Sequence, residues 1–145
     1  MGNTDCAAGL TCLSGVCHAF CATLDTACPG GECVQAGDGQ PQDLVCLVSC
    51  TPAPVSCGAG QACEVFTLNG SLTTDCEGPG TVAAGGSCTM DSDCAAGLGC
   101  IGTPAACLQW CQLSPNATSC ASGNACTGFD TPFIINGITY GACPE

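Results

Sequence analysis

The sequence predicts a small disulfide-rich fold of short β-hairpins and loops. It would be built as tandem four-cysteine units with little or no helix and no sizeable hydrophobic core. Three observations lead there. Cysteine takes 19 of 145 positions, a share that marks a disulfide scaffold. Large apolar side chains are scarce, the aromatics being one Trp, one Tyr and four Phe, so cross-links must stand in for burial. The cysteines also recur at repeating intervals, and Gly, Pro and Thr interrupt every window where a 3.6-residue periodicity could develop. One bridge closing a loop of roughly 15 residues contributes about 3 kcal/mol in the chain-entropy treatment, so several outweigh what these aromatics can supply.

The units follow from internal repetition. Asp5-Cys6-Ala7-Ala8-Gly9-Leu10-Thr11-Cys12 recurs as Asp93-Cys94-Ala95-Ala96-Gly97-Leu98-Gly99-Cys100. Three-residue links join Cys17 to Cys21, Cys46 to Cys50 and Cys107 to Cys111. Dividing at these links gives Cys21/Cys28/Cys33/Cys46, Cys50/Cys57/Cys63/Cys76, Cys88/Cys94/Cys100/Cys107 and Cys111/Cys120/Cys126/Cys143. The first group holds only Cys6, Cys12 and Cys17; alignment with Cys88 puts its absent member one place before Met1. The expectation is a slice of a longer array, or an odd thiol that bonds to another chain. Residues 1–76 form a first lobe, 77–87 a Gly/Pro/Ala-rich flexible joint, and 88–145 a second lobe.

Within the long units a turn signal lies between the third and fourth cysteines. Phe133-Ile134-Ile135-Asn136-Gly137-Ile138-Thr139-Tyr140 is the sharpest, because Asn-Gly between apolar runs supplies two residues able to take positive φ. Glu64 to Thr73 repeats the design around Asn69-Gly70. Val34 to Val45 is a looser version around Asp38-Gly39, with Pro41 against a clean strand. Four cysteines allow three pairings, which the residues alone leave open.

A small unit with a hairpin between its last two cysteines resembles epidermal-growth-factor-like and knottin-like modules. That resemblance implies that the first cysteine joins the third and the second the fourth. The pairs would be Cys21–Cys33, Cys28–Cys46, Cys50–Cys63, Cys57–Cys76, Cys88–Cys100, Cys94–Cys107, Cys111–Cys126, Cys120–Cys143 and Cys6–Cys17. Cys12 is then left over, the candidate for a bond to another chain. The Cys-x5-Cys-Ala-Ala-Gly-Leu-x-Cys pattern is also similar to secreted bacterial cysteine-rich repeat proteins, and more distantly to the amino-terminal module of Dickkopf-type ligands. It covers residues 1–17 and 88–107 and implies a surface or secreted location.

Charge excludes whole classes of partner. Twelve acids and no Lys or Arg give a net charge of −12, so nothing displaces counterions from nucleic acid or attracts the chain to anionic lipid. No run approaches the ~20 apolar residues of a membrane span. Met1 to Leu10 has neither the basic nor the apolar part of a secretory signal, so export implies that the signal was removed or omitted. The lack of Lys and Arg also leaves no trypsin-type cleavage site.

Few residues carry site chemistry. Zinc sites favour Cys-x2-Cys spacing, and none occurs. Asp91-Ser92-Asp93 offers carboxylates to calcium but lacks the following Gly and distal Glu of a calcium loop; a solvated acidic turn is the favoured reading. His18, the one imidazole, reads as a surface residue. No catalytic residues, metal or cofactor are assigned, and no enzyme is expected. Asn69-Gly70-Ser71 and Asn116-Ala117-Thr118 are complete N-glycosylation sequons, making Asn69 and Asn116 candidates. The apolar hairpin residues Phe133, Ile134, Ile135, Ile138 and Tyr140 serve either as a small core or as an assembly edge.

These observations lead to an expected extracellular structural protein, a stapled repeat protomer of a filament, stalk or surface coat that self-associates and is open to glycans. The alternative is a secreted binding module (adhesin, ligand or inhibitor) with loops 34–45, 64–75 and 112–119 as its contact surface.

Overall fold

A computed structural model describes residues 5–36 and 43–144. Its regular structure is short antiparallel strands and hairpins, with a 3-10 turn at Asp91–Asp93. The Asp38-Gly39 turn and Pro41 lie outside the described residues.

Strands β1 (Leu10–Leu13) and β2 (Val16–Ala19) form the first hairpin, turning at Ser14-Gly15. Strands β3 (Ala27–Cys28), β4 (Gly31–Gln35) and β5 (Leu44–Cys46) form a three-stranded sheet in that order. Strands β6 (Ala62–Leu68) and β7 (Ser71–Glu77) form the longest hairpin. Strands β8 (Leu98–Ile101), β9 (Ala106–Ser114), β10 (Phe133–Ile135) and β11 (Ile138–Ala142) make one sheet, ordered β10-β11-β9-β8. The two Asn-Gly tips are the tight turns their residues require. Asn69 and Gly70 have φ of 48° and 80°, Asn136 and Gly137 of 51° and 78°, the left-handed values of a hairpin turn whose twist matches the strands.

Nine disulfides join Cys6–Cys17, Cys21–Cys33, Cys28–Cys46, Cys50–Cys63, Cys57–Cys76, Cys88–Cys100, Cys94–Cys107, Cys111–Cys126 and Cys120–Cys143. In each four-cysteine group this is first to third and second to fourth, the connectivity that the likeness to epidermal-growth-factor-like modules implies. The third and fourth cysteines sit opposite each other across their hairpin, as in Cys33↔Cys46, Cys63↔Cys76 and Cys100↔Cys107. Each then bonds outward to the loop that precedes the hairpin. Sulfurs of the first, second and fourth cysteines of a group lie within 4.8 Å of one another, so the two bridges of a unit touch and form its centre. Cys12 is half-buried on β1, opposite Cys17, and lies outside the nine bridges.

One joint recurs between consecutive units. After the fourth cysteine the chain runs on and pairs with the last strand of the following unit. Phe20 bridges Val45, and the Cys21 N–H donates to the Leu44 carbonyl at 3.0 Å. The Cys76 N–H donates to the Val48 carbonyl at 3.0 Å. Strand β9 carries both Cys107 and Cys111, and Cys111 pairs with Gly141 of β11. Each three-residue link therefore makes backbone pairing with the following unit.

Segment 77–87, expected as a flexible joint, is instead a strap bonded on both sides. The Gly78 N–H donates to the Ser14 carbonyl at 2.6 Å, Gly80 to Cys94 at 2.8 Å and Gly85 to Cys107 at 2.9 Å, while Cys107 donates back to Gly86 at 2.9 Å. Its glycines leave room for this: a Cβ at Gly80 would run into the Asp93 and Ser92 backbone. The strap thus takes the place that a three-residue link holds elsewhere.

Apolar burial is divided among small clusters, consistent with a chain lacking large side chains. Val16 packs with Cys50, Cys63 and Cys76, and Val34 with Val45 and Leu47. The largest side chains gather at the seam between residues 5–77 and 88–144, where Ala53 and Val65 meet Trp110, Ile135 and Tyr140.

Candidate functional site

The final hairpin is mostly interior. Phe133 stacks on Trp110 with ring centroids 5.1 Å apart, and Phe129 and Tyr140 meet Phe133 edge-on at 6.0 and 6.4 Å. Ile135 and Tyr140 are buried, Tyr140 to 1% exposure, and Ile138 packs against the same cluster. Alternation along the strand explains the split: residues 133 and 135 face the seam, and Ile134 between them is exposed. As an assembly edge the hairpin therefore offers Ile134 alone; Phe133, Ile135, Ile138 and Tyr140 are committed to the molecule's own core.

Trp110 dictates a second feature. Its indole edge lies so close to Gly99 that a Cβ there would overlap Nε1 and Cε2. Nε1 is buried without a hydrogen-bond partner. A cleft beside Trp110 is lined from the first half by Pro52, Pro54 and Val55 and from the second by Leu98, Gln109 and Thr118. No charged residue lines it, on a molecule whose formal charge is −12.

His18 is not a surface residue. It is fully buried on β2, two places from buried Val16 and on the same face. Its Nε2 lies 3.1 and 2.9 Å from the two carboxylate oxygens of Asp75, and its Nδ1 lies 3.1 Å from the Val16 carbonyl. Both ring nitrogens thus face acceptors, and only the imidazolium donates to both. The Asp75 hydrogen bond raises the His18 pKa above its ordinary value against the opposing effect of burial, with the charges of Asp75 and Glu77 adding to the rise. Asp75 is also buried, and its Oδ1 accepts the Val48 N–H at 2.7 Å. One ion pair therefore ties β2, β7 and the link leading from the second group of cysteines.

Further carboxyl groups surround this pair. Glu64 lies directly across from Asp75 on the β6–β7 hairpin, with Glu77 diagonal to it on the same face. Burial, then a hydrogen bond to Glu77 and the charges of Glu77 and Asp75, push the Glu64 pKa up to about 8. Asp91 approaches the other edge of β6: its Oδ2 accepts the Val65 N–H at 3.2 Å and its Oδ1 the Cys100 N–H at 2.7 Å. Burial raises the Asp91 pKa, opposed by these hydrogen bonds. Asp93 turns away and accepts the Thr89 and Met90 N–H groups at 2.8 and 3.2 Å, which lowers its pKa. Asp91 and Asp93 therefore serve the backbone in different directions, unlike a calcium loop whose carboxylates converge.

The disulfide sulfurs are close enough to hold an ion, but a bridged sulfur offers no thiolate to a metal. The asparagines of both sequons are exposed. Asn69 Nδ2 donates to Asp25 Oδ1 at 3.1 Å, while Thr118 of the second sequon accepts the Gln112 N–H at 2.7 Å. Among the described residues no helix is long and apolar enough to cross a membrane. The bridges mark an oxidising compartment. His18, Glu64, Asp75 and Glu77 escape a motif search because they have no fixed spacing; the shared face of Val16 and His18 was the one local signal. Compared with known proteins, the chain matches no family model, no curated protein and no solved structure.

Proposed function

We propose that the chain is an extracellular or cell-surface structural protein, a stapled repeat protomer of a filament, stalk or coat; its resemblance to secreted bacterial cysteine-rich repeat proteins supports the location. The observation that supports this reading best is the recurring backbone pairing of each three-residue link with the following unit. A joint that the chain uses repeatedly can be continued by further units, and touching bridges make each unit stiff. Contact between copies would draw on the exposed apolar residues Phe20, Leu24, Leu72, Met90 and Ile134. Glycans at Asn69 or Asn116 would cover the outside. No catalytic role is assigned, since the one imidazole is buried against Asp75.

The test is the mass of native material before reduction, after reduction, and after deglycosylation. A large species, whether held by disulfides or persisting after reduction, supports the reading. A single small species at high concentration overturns it.

A secreted protein-binding module is the second reading, favoured by the uncharged cleft beside Trp110. A one-to-one complex that is lost on Val55→Asp, with the fold retained, would support it.

A further inference from the structure

The backbone of the strap joins the two halves, and no disulfide does. All nine bridges lie within residues 6–76 or within 88–143. Apart from the strap, the seam is held by the Trp110 cluster and by Asp91, whose two oxygens accept one N–H from β6 and one from β8. Beside this contact, four elements bring together five titratable groups. They are His18 from β2, Glu64 from β6, Asp75 and Glu77 from β7, and Asp91 from the 3-10 turn. Strand β8 adds none, and Asp93 faces Thr89.

We propose that this junction is a pH-sensitive clasp, closed while Glu64 is neutral and His18 is protonated, and loosened when both lose their protons. The physical reason is a charge imbalance that the molecule cannot correct. No Lys or Arg exists to compensate, and like charges repel more strongly in a partly desolvated site than in water. Deprotonation leaves Glu64 charged beside Glu77, Asp75 and Asp91 while the one cation is lost. Strands β6 and β7 cannot part, because Cys50–Cys63 and Cys57–Cys76 anchor them and Cys63 sits opposite Cys76. The repulsion is relieved where no bridge resists, by withdrawal of Asp91 and the second half from β6. The Glu64 pKa, raised to about 8, sets where this occurs.

Trp110, the single tryptophan, lies on the seam and reports it. The test follows its emission, and amide exchange at Val65 and Cys100, from pH 5 to 9 in the intact oxidised chain. Tyr140 stays protonated over that range because burial raises its phenol pKa. The expected result is a red shift with its midpoint near pH 8, and faster exchange at those two amides than base catalysis gives to amides elsewhere. Glu64→Gln and Glu77→Gln should each abolish the transition or displace it by about one pH unit or more, and Asp25→Asn, an exposed acid that meets Asn69 at the tip of the β6–β7 hairpin, should leave it in place. Emission unchanged from pH 5 to 9, or a transition unaltered in both Gln variants, overturns the proposal.

Discussion

The bridge cluster of the last unit and the seam around Trp110 are both buried, yet they are held in different ways. In the first, Cys111, Cys120 and Cys143 form the cluster themselves, and two touching bridges fix the loops around them. In the second, no bridge crosses, and order depends on four aromatic rings, one close glycine and a set of protonation states. Covalent order is insensitive to pH and to small changes in packing. Seam order is sensitive to both, so redox state and pH should act on different parts of the molecule.

Reduction should break the first region outright. With the bridges opened, little apolar surface remains to offset the conformational entropy of folding, and far-UV and near-UV circular dichroism should both collapse. Retained tertiary signal in excess reductant would show that burial contributes more than these clusters allow.

Asp75→Ala should be next in size, because it leaves a buried imidazole without its counter-ion. Breaking a buried pair costs roughly 3–5 kcal/mol, measurable as a lower urea midpoint at pH 6. Gly99→Ala addresses the seam alone. A methyl at that position overlaps the Trp110 indole, and overpacking costs about 1–3 kcal/mol. Its signature is an altered Trp110 emission with the disulfide map unchanged. Gly137→Ala should cost about 1–2 kcal/mol, since φ at this turn is 78° and an L side chain is strained there. A loss below the error of a denaturation midpoint would sink the hairpin's place in the fold.

The most graded effect is that of pH. His18, Glu64 and Asp91 all have folded pKa values above their ordinary ones. For each, the folded state binds the proton more tightly than the unfolded one, so its stabilisation is complete below the unfolded pKa and is lost as pH rises through the folded value. For Glu64 that window runs from 4.5 to about 8; for His18 it begins at 6.5 and extends upward. Asp93 acts in the opposite sense, its contribution lost only as pH falls through its depressed pKa. Midpoints of urea denaturation should therefore decline from mildly acidic to alkaline pH, and Glu64→Gln should flatten the lower part of that decline. A rising midpoint across the same interval would contradict the assignment of these groups.

Much of the local architecture was legible in the residues because it depends on neighbours. Cysteine spacing divided the chain into units, and Asn69-Gly70 and Asn136-Gly137 marked hairpin tips, since the turn needs positive φ at both places. The 77–87 segment misled because Gly and Pro signal irregular backbone whether it is loose or pinned. Here the strap's glycines permit close approach to residues 92–94.

By itself, then, the sequence determined the scaffold: a disulfide-rich, acidic chain of small hairpin units, all encoded over short stretches by residue type and interval. Tertiary structure alone decided what meets between units. His18 and Asp75 are 57 residues apart, and Asp91 joins Val65 to Cys100 across the seam. A single buried histidine finds its carboxylate only once the stacking of strands brings β2 against β7. The Asp75 hydrogen bond there holds the charged imidazole against the cost of burial, and burial raises the pKa values of Glu64 and Asp91 nearby, through distances that no interval along the chain encodes.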